Sequence, residues 1–382
     1  MKSAASSLPI DLLIESTSGG SVRHVLDLFD ELIERDHDVR LVVSMLRTDD
    51  LFMQRFEKID PRRKVIINMR RSPHPSDVTA IAKLARNLRS LNHRRILHAH
   101  STKAGLIATG VRPWTAGTLF TPHAYRGMDP ELSIGKQIAL GTVENLISRF
   151  HDRVFAVSPA ELDYCKAIRL DAKRVKYIPN GVKIEEIAKI ARSRHVPRLQ
   201  ADPVLGFVGR MTYQKNPMLF LRTVIELRKE FPKIRGIMLG DGPLLDGVRD
   251  FIKANGLAEA VEAVGHVNTL DRLLDMDIMV HTSIYESLPY VLLEACAVGL
   301  PVVSVRNAGS EAIFGKQMEL VSDIQDAAAL ARACADLLRS PDALERASKL
   351  SRAAGEQFTI ETMTNAIEEQ YREVYRNAEP KR

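Results

Sequence analysis

Two glutamates lie eight residues apart in the stretch YESLPYVLLEACAVGLPVVSV, residues 285–305. Glu286 precedes a proline-containing turn, and Glu294 lies within an otherwise apolar run. A buried carboxylate is costly unless a cation or a hydrogen-bond donor pairs with it. Either the two carboxylates bind a ligand, or Glu294 pairs with a neighbouring arginine while Glu286 is solvated.

The residues around the two glutamates predict a short helix followed by a strand. Pro289 suits the first helical turn, where its missing N–H is not needed, and Ser287 is the predicted cap. The helix is expected over 290–298, with Gly299 after its last turn and PVVSV as the next strand. The amides at the start of this helix, between the two carboxylates, are suited to binding a phosphate.

Two cations in FVGRMTYQKNP, Arg210 and Lys215, extend the candidate site. Arginine offers a planar fork to phosphate oxygens and lysine a mobile point charge, so the pair could bind a diphosphate. A solvated pair is the alternative when this loop is considered alone. Glu294 suits two neighbouring hydroxyls, as on a ribose, and Glu286 suits sugar hydroxyls or developing positive charge. One nucleotide sugar would satisfy all four groups.

Strand-like and helix-like segments alternate along the chain, which predicts parallel sheets covered by helices on both faces. Because the pattern restarts after residues 176–182, we expect two similar α/β halves joined near residues 180–200. Predicted helices include 22–34, 77–91 and an amphipathic final helix over 359–376. The apolar face predicted for 77–91 consists of Val78, Ile81, Leu84, Leu88 and Leu91. The expected strands are IDLLIES, DVRLVVS, RRILHAHS, GTLFTPHA and RVFAVS in the first half, and PVLGFVGR, KIRGIMLG, AVEAVGHV, DIMVHTS and LPVVSV in the second.

Polar residues and glycines follow many of these predicted strands. In open α/β sheets, ligands bind beyond the carboxyl ends of the strands. We therefore expect the functional site in the cleft between the two halves. The residues at such ends are Gly19, Gly20, His98, His100, His123, Gly209, Arg210, Gly240, Asp241, Gly242 and Glu286.

The composition is that of an ordinary globular protein, with 45% hydrophobic and 27% charged residues among 382. The three cysteines are widely spaced and odd in number, so we expect a reducing compartment and neither a disulfide framework nor a cysteine metal motif. The apolar patch at residues 10–14 is too short for a signal peptide, and no apolar run approaches the roughly 20 residues that cross a bilayer. The expected location is cytoplasmic, including the inner face of a membrane as a peripheral protein.

The net charge of +6 is unevenly distributed. Residues 1–180 hold 28 Lys and Arg against 20 Asp and Glu, an excess of +8, whereas residues 181–382 hold 26 against 28. Basic clusters at 62–64, 70–71 and 93–95 could favour anionic lipid, a phosphorylated substrate or nucleic acid, or could form a solvated surface. Without zinc-finger spacing or an RNP-like aromatic pattern, specific nucleic-acid binding is not expected.

Two short motifs could suggest a metal, and for His98 and His100 no further ligands are expected nearby. Asp275-Met276-Asp277 precedes a predicted strand, and the favoured interpretation is a cap at a helix–strand junction. His98 and His100 alternate at a strand end, where a substrate or packing role is favoured over metal ligation. Neither motif is therefore expected to bind a metal, and no cofactor is expected.

The ordered set of motifs resembles the family-four group of retaining glycosyltransferases. Glu286 and Glu294 match its E-x7-E signature. The resemblance covers about residues 10–375 and implies the GT-B fold, with two Rossmann-like lobes. The implied domains are 1–180, with the C-terminal helix at about 360–382 packed back on it, and 181–359 for the nucleotide sugar. The other matching stretches are GGSVRHVLDL, HAHSTKAG, TPHA, YIPNGV, FVGRMTYQKNP, LGDGP and ESLPYVLLEACAVGLPVV.

The resemblance implies that no metal is needed, and it implies roles for individual residues. The catalytic residues would be His123, at the anomeric centre, and Glu286, at the transferred sugar. Arg210 and Lys215 would bind the donor diphosphate and stabilise the charge that grows on it as it leaves. Further donor contacts are implied for Gly20, Leu288 and Tyr290 at the phosphates or sugar, for Glu294 at the ribose and for Val267 at the base, and acceptor contacts for His100, Lys103 and Arg23.

The expected function is transfer of a sugar, with retention, from a UDP- or GDP-sugar to a hydroxyl acceptor. The basic first half favours a lipid-linked or cell-envelope glycan acceptor, as in lipopolysaccharide or exopolysaccharide biosynthesis, and peripheral contact with an anionic membrane. Two alternatives stay open. One is a GT-B epimerase or hydrolase that acts on the nucleotide sugar itself, and the other is a non-catalytic nucleotide-sugar-binding protein.

Overall fold

The structure, a computed structural model, describes residues 7–17, 19–48, 50–193, 202–267, 269–315 and 326–378. Their contacts divide the chain into two units. Unit 1 comprises residues 7–181 and 360–378, and unit 2 comprises the described residues of 182–359. No helix among these residues combines the length and the apolar character needed to span a bilayer.

Unit 1 is built on a parallel sheet whose described strands lie in the order β3-β2-β1-β4-β5-β6-β7. Its central strands are buried along their whole length, as expected for a sheet with helices on both faces. The strands are β1 (Pro9–Ile14), β2 (Asp38–Val43), β3 (Lys64–Ile66), β4 (Ile96–His100), β5 (Gly117–Thr121), β6 (Arg153–Ala156) and β7 (Val175–Tyr177), and the helices are α1 (Gly20–Glu34), α2 (Asp50–Lys58), α3 (Ser76–Arg89), α4 (Thr102–Val111), α5 (Ile134–Arg149) and α6 (Pro159–Ala167).

Unit 2 repeats the architecture on a smaller parallel sheet of described order β10-β9-β8-β11-β12. Its core combines the central strands with the inner faces of the flanking helices. The strands are β8 (Val204–Val208), β9 (Arg235–Leu239), β10 (Val261–Gly265), β11 (Ile278–His281) and β12 (Val302–Ser304), and the helices are α7 (Ile184–Ser193), α8 (Pro217–Arg228), α9 (Leu245–Ala254), α10 (Thr269–Arg272), α11 (Tyr290–Val298), α12 (Ala308–Phe314), α13 (Ala327–Leu338) and α14 (Pro341–Gly355).

The final helix, α15 (Ile360–Ala378), belongs to unit 1 although unit 2 precedes it in the chain. The hydroxyl of its buried Tyr371 lies 2.6 Å from His98 Nδ1 on β4. Arg153 on β6 donates to Gln370 at 3.0 Å and to Glu373 at 2.5 Å. An apolar face and two side-chain hydrogen-bonding sites therefore hold α15 against the first sheet.

The ten predicted strands are all present, and the predicted class of two parallel α/β sheets is confirmed. The sequence missed β3 and β7, which have three residues each and lie at the edges of the first sheet. Three residues are too few to establish an alternating pattern, so periodicity could not identify them. The predicted apolar face of this helix is confirmed at Leu84 and Leu88, which α3 buries together with Ala80 and Ala85. One member of that face was wrong, because Val78 is 71% exposed.

Both strand orders contain a point where the connections change direction. In the first sheet β1 lies between β2 and β4, and in the second sheet β8 lies between β9 and β11. Loops leaving neighbouring strands at such a point run to opposite sides, which opens a crevice at the carboxyl edge of the sheet. The candidate residues of each unit are located at these edges.

Candidate functional site

In unit 2, the loop after β8 is bonded to the loop after β11. Thr282 Oγ1 donates to the carbonyl of Lys215 at 2.7 Å. Gln214 donates through Nε2 to the carbonyl of Tyr285 at 2.9 Å, and the amide of Ile284 donates to the carbonyl of Gln214 at 2.8 Å. The two loops therefore form one hydrogen-bonded surface beyond the neighbouring ends of β8 and β11.

Lys215 and Glu286 form an ion pair on this surface, in which Lys215 Nζ donates to Glu286 Oε1. Burial alone would raise the pKa of the Glu286 carboxyl, but the Lys215 ammonium, together with a hydrogen bond from the Ser283 hydroxyl, holds it below its ordinary value. The carboxylate is therefore ionised at neutral pH. Both side chains are largely removed from solvent, which strengthens their attraction.

His281, at the end of β11, lies beside this ion pair. Burial lowers its pKa to about 4, against the raising effect of the Glu286 carboxylate. Its Nδ1 lies 2.9 Å from Ser304 Oγ, whereas its buried Nε2 has no hydrogen-bond partner among the described residues. The imidazole is neutral at pH 7 and leaves the net charge of the pair unchanged.

Glycine 240 and glycine 242 allow the GDGP loop to pack directly against the Arg210 loop. A Cβ on Gly240 would lie 2.1 Å from the carbonyl oxygen of Gly209, and one on Gly242 would lie 2.6 Å from that of Met211. The amide of Met211 also donates to the carbonyl of Asp241 at 2.9 Å. The sequence predicted that the GDGP loop follows a strand end. The structure shows that the GDGP loop also supports the backbone of the loop that carries Arg210.

The start of α12 supports Glu286 from another direction. Asn307 caps this helix by accepting from the amides of Gly309 and Ser310, and it donates to the carbonyl of Ser283 at 2.8 Å. A Cβ on Gly309 would lie 2.8 Å from Glu286 Cβ. Sequence inspection missed both Asn307 and Gly309, although N-A-G-S after a buried strand is a typical helix-start pattern that could have identified them.

The other predicted donor residues occupy different environments. Arg210 is exposed on the same loop as Lys215, and Val267 lies just beyond β10. Leu288 is buried two residues before the start of α11, and Tyr290 is buried as its first residue. Glu294, only 3% exposed, is buried within α11. The structure thus joins Lys215 directly to Glu286 and places Arg210 on the same loop, whereas Glu294 is enclosed by α11 and its surroundings.

The helix prediction over 290–298 is confirmed, but its predicted cap is wrong. Pro289 itself is the N-cap, with extended backbone (φ −77°, ψ 127°), and no side-chain cap hydrogen bond is formed. Proline fixes φ and leaves ψ free, so it serves at the cap as well as inside the first turn. The C-terminal prediction is confirmed, since Gly299 caps the helix with φ 72° and ψ 30°.

In unit 1, a histidine cluster lies at the carboxyl edge of the sheet. His100 ends β4, His123 follows β5, and His24 extends from the first turns of α1. His100 Nδ1 is 3.1 Å from His123 Nε2, and His24 Nδ1 is 3.1 Å from Asn180 Oδ1. The sequence identified His100 and His123 but missed His24; the available signal was a histidine in the first helical turns after a glycine pair.

Burial keeps the cluster neutral. It lowers the pKa of His24 to about 4 and the pKa values of His100 and His123 well below 6.5. At neutral pH these rings therefore donate and accept hydrogen bonds without carrying charge. His98 is satisfied on both sides, by Tyr371 at Nδ1 and by Thr121 Oγ1 at 2.8 Å from Nε2. Of the two roles favoured from the sequence, substrate contact and packing, these contacts are those of a packing residue.

The cluster also has the composition of a metal-binding site. One ring nitrogen from each of His24, His100 and His123 lies within 4.8 Å of the other two. His24 Nε2 and His100 Nε2 are buried and have no hydrogen-bond partner among the described residues. Neutral imidazole nitrogens suit an ion such as Zn²⁺. The D-x-D motif at residues 275–277 does not have the character of a metal-binding site, because Asp277 is buried and accepts from the amide of Val204 at 2.8 Å.

His123 lies in a strained turn that a buried glutamate stabilises. His123 and Ala124 have φ values of 53° and 79°, which are unfavourable for residues with a side chain. Glu161 accepts from the amide of Ala124 at 2.5 Å and from that of Val157 at 3.0 Å. Each strained residue costs on the order of 1 kcal/mol, and such strain is concentrated at functional sites.

Three further predicted residues lie near the start of α1 or on α4. Gly20 is the first residue of α1. The positive φ that favours a glycine, 82°, belongs to Gly19 before it and not to Gly20. Arg23 donates to Asp27 at 3.3 Å. Lys103 is buried in a 2.6 Å ion pair with Asp77, so its ammonium is turned toward α3.

Two sequence profiles match consecutive parts of the chain. Residues 18–186 match the profile described as Glycosyltransferase Family 4, and residues 190–357 match the one described as Glycosyl transferases group 1. Together they cover most of both units.

Curated relatives include enzymes named for lipid-linked substrates. The UDP-Gal:alpha-D-GlcNAc-diphosphoundecaprenol alpha-1,3-galactosyltransferase of Escherichia coli is 24% identical over 59% of this chain and 61% of its own length. The alignment thus spans less than two thirds of that relative. The phosphatidylinositol N-acetylglucosaminyltransferase GPI3 subunit of Saccharomyces cerevisiae is 23% identical over 80% of this chain and 69% of its own length.

Solved structures share the fold at low sequence identity. Anabaena HepE in complex with UDP aligns with a TM-score of 0.74 and 20% identity over 96% of this chain and 100% of that one. Sucrose-phosphate synthase from Thermosynechococcus elongatus aligns with a TM-score of 0.78 and 19% identity over 97% and 100%. The predicted GT-B fold is confirmed.

Proposed function

The chain belongs to the family-4 glycosyltransferases, and on this premise we propose that it transfers a sugar, with retention, from a nucleotide-sugar donor to a hydroxyl acceptor. The observation that carries the proposal is the ion pair of Lys215 and Glu286 beyond β8 and β11. A strongly anionic diphosphate and a hydroxyl-rich sugar are the two groups that such a pair can bind together.

Donor binding would redistribute the hydrogen bonds of this pair. The diphosphate competes with Glu286 for the Lys215 ammonium, and exposed Arg210 on the same loop adds a second cation. The carboxylate released from Lys215 can then accept from hydroxyls of the transferred sugar. As the glycosidic bond breaks, negative charge accumulates on the diphosphate, where the two cations stabilise it. HepE binds UDP in its structure, so UDP-sugars are the first donors to test.

Glu294 would hold the ribose, and Val267 would contact the base through its backbone. The burial of Glu294 suits a carboxylate that holds one fixed hydrogen-bonding geometry. The backbone at Leu288 and Tyr290, at the start of α11, would receive phosphate or sugar oxygens, with Gly20 at the start of α1 as a further phosphate contact. These assignments follow the positions of the family motif.

His123 would contact the transferred sugar near its anomeric carbon. Because burial keeps its imidazole neutral, it can donate or accept a hydrogen bond there without adding positive charge. The left-handed turn held by Glu161 fixes the direction of the ring, which is the kind of preorganisation that catalysis uses. His100 and Arg23 would serve the acceptor side, and no metal would take part.

The acceptor is proposed to be a lipid-linked glycan. The E. coli and yeast relatives are named for an undecaprenol diphosphate sugar and a phosphatidylinositol acceptor, respectively. The +8 excess over residues 1–180 favours an acceptor that carries phosphate. Such an acceptor would be met at a membrane surface, since its lipid chains are insoluble.

The proposal is tested by donor binding followed by turnover. A thermal-shift comparison of UDP- and GDP-sugars identifies the donor, and product analysis with lipid-diphosphate sugars identifies transfer and its stereochemistry. Donor turnover in the absence of an acceptor would show that the protein is an epimerase or hydrolase and not a transferase. Donor binding without turnover, under conditions where the chain is folded, would show that the protein binds nucleotide sugars without catalysing a reaction. Failure of every nucleotide sugar to bind would refute the donor site itself.

A further inference from the structure

The three clustered histidines of unit 1 come from separate segments of the chain. His24 lies on α1, His100 ends β4 and His123 follows β5. They meet because β4 lies between β5 and β1, the strand that leads into α1. One ring nitrogen from each lies within 4.8 Å of the other two. The tertiary structure thus assembles three candidate ligands, the number found in metal sites that keep one position open.

His24 is oriented as a metal ligand. Its Nδ1 lies 3.1 Å from Asn180 Oδ1, and this nitrogen carries the proton because an amide oxygen only accepts. The lone pair is then on Nε2, which is buried and has no hydrogen-bond partner among the described residues. Histidine ligands of metals commonly donate their other ring N–H to an oxygen in this way, which fixes the tautomer and the direction of the ring.

His100 and His123 have the spacing of two ligands of one ion. Their nearest nitrogens, His100 Nδ1 and His123 Nε2, are 3.1 Å apart and share one proton. Two nitrogens on one tetrahedral zinc lie roughly 3.3–3.4 Å apart. The centroids of the three rings are separated by 5.3, 4.6 and 5.3 Å, close to the roughly 5 Å expected for three imidazoles on such an ion. Coordination therefore needs the rings to turn more than to move.

The backbone beside two of these histidines has positive φ values. Ser101, directly after His100, has φ 99°, and His123 itself has φ 53°. Side chains disfavour this region, and such strain persists only where surrounding contacts determine the conformation. One of those contacts joins the ends of β4 and β5, because the amide of Ser101 donates to the carbonyl of Thr121 at 3.1 Å. The backbone positions of two ligands are therefore fixed before any ion binds.

The cluster can be reached from the His123 side. His123 is only partly buried and Ala124 beside it is exposed, whereas His24 and His100 are enclosed. An ion could enter there and keep a water molecule as its fourth ligand. Imidazole nitrogens suit Zn²⁺, Co²⁺, Ni²⁺ and Cu²⁺, whereas Mg²⁺ and Ca²⁺ prefer oxygen ligands.

We propose that His24, His100 and His123 form an inhibitory site for a divalent transition-metal ion such as Zn²⁺. The inference rests on the proposed function, in which His123 contacts the transferred sugar. A nitrogen of His123 that binds the ion cannot form a hydrogen bond to the sugar. The charge of the ion also opposes the positive charge that develops at the anomeric carbon as the glycosidic bond breaks. The ion is thus an inhibitor and not a cofactor, and transfer proceeds without it.

Titration of the chelator-treated, full-length chain with Co²⁺ tests the site without donor or acceptor. We expect one equivalent to bind with the visible absorption of a four-coordinate cobalt centre, and Zn²⁺ should displace it. His24→Asn removes a ligand and should raise the Kd by at least about a hundredfold, whereas loss of a residue that only orients a ligand costs about tenfold to a hundredfold. X-ray absorption of the zinc-loaded wild type, which needs no variant, should show three imidazole ligands.

His151→Asn is the matched control for cobalt binding. His151 is a buried histidine of the same unit, and its Nδ1 also has no hydrogen-bond partner among the described residues. It does not belong to the metal-ligand cluster found in that part of the chain. Its replacement should therefore leave the affinity for Co²⁺ unchanged.

Inhibition is measured for each protein relative to its own chelator-treated rate. Zn²⁺ should inhibit the wild type and His151→Asn, a chelator should restore their rates, and His24→Asn should resist. Mg²⁺ at the same concentration should not inhibit, because the site offers no oxygen ligand. Equal inhibition by Mg²⁺, or equal inhibition of His24→Asn by Zn²⁺, would show that the ions act on the donor diphosphate or elsewhere and would overturn the inhibitory role.

Other results would overturn the metal site itself. They are a wild type that binds no stoichiometric Co²⁺, fewer than three imidazole ligands on zinc, and an equal loss of affinity in His24→Asn and His151→Asn. Transfer that requires Zn²⁺ would replace inhibition by a cofactor role. Cobalt binding needs no turnover, and donor binding is measured in the same samples, so the metal site and the proposed function can fail separately.

Discussion

The ammonium of Lys215 donates a hydrogen bond to the carboxylate of Glu286, although 71 residues separate them in the chain. The contact exists because β8 and β11 are neighbours in the sheet and their following loops are bonded to each other. It places one cation and one anion where a nucleotide sugar presents an anionic diphosphate and neutral hydroxyls.

Replacement of Lys215 should weaken diphosphate binding selectively. Lys215→Ala is expected to raise the Kd for a nucleoside diphosphate by about tenfold to a hundredfold, as for loss of one charge-assisted hydrogen bond, and to change nucleoside binding little. Isothermal titration with both ligands measures the difference. Lys229→Ala, at a lysine paired with Glu226 near the end of α8, is the control. Equal losses for nucleoside and diphosphate would contradict the assigned role.

The pH dependence of Glu286 should depend on Lys215. In the wild type the pKa of this carboxyl is held below its ordinary value of 4.5, so its charge is retained as the pH falls to that value. In Lys215→Met, burial is no longer outweighed by the ammonium, and the pKa should rise. The acid limb of the turnover profile should then move to higher pH. A limb at the same pH in both proteins would show that Glu286 does not determine it.

A methyl group at position 309 should disturb the site with little effect on the fold. Gly309→Ala places a Cβ 2.7 Å from Pro289 Cδ and 2.8 Å from Glu286 Cβ, so the loop that carries Glu286 must shift. We expect turnover to fall at least tenfold while the unfolding temperature changes by a few degrees at most. Gly247→Ala in α9, where the new Cβ has space, is the control and should be neutral or slightly stabilising. Unchanged turnover in Gly309→Ala would refute the supporting role of α12.

Acidification should destabilise the protein well above the range where carboxylates protonate. Burial lowers the pKa values of His24, His151 and His281 from 6.5 to about 4. Between these values the unfolded chain binds protons that the folded chain excludes, so stability falls as the pH falls, by about 1.4 kcal/mol per pH unit for each histidine. The lowered pKa of Glu286 acts in the same direction, but only below 4.5.

Urea-denaturation midpoints at pH 7 and pH 5 measure this effect. The midpoint should be clearly lower at pH 5, and His24→Asn should reduce the difference between the two pH values. Equal wild-type midpoints would show that the buried histidines are not neutral in the folded state.

Removal of metal should leave transfer intact, although His24, His100 and His123 have suitable spacing for an ion. We expect activity to survive chelation because the proposed reaction relies on Lys215 and Arg210 for charge stabilisation. Activity before and after chelator treatment and the metal content of the purified chain measure this. Stoichiometric zinc that is lost in His24→Asn, together with loss of activity on chelation, would establish a metal centre instead.

Much of the fold could be predicted from the sequence, since strands and helices are encoded by local repeats. The helix over 290–298 was identified residue by residue, and the predicted start of α1 at residue 22 differs from Gly20 by two residues. The errors occurred where local pattern carries little information. Val78 lies in the first turn of α3, where neighbouring elements decide which face is covered, and Pro289 took the cap position expected for Ser287.

The sequence by itself determined the two parallel α/β halves and the chemical types at their strand ends, because hydrophobic periods and turn residues act over a few positions. Only the tertiary structure decided which of those residues meet. Strand order brought Glu286 to Lys215, added His24 to the histidines of β4 and β5, and turned Lys103 toward Asp77. The physical reason is that contacts between distant segments depend on how whole elements pack, which no local pattern records.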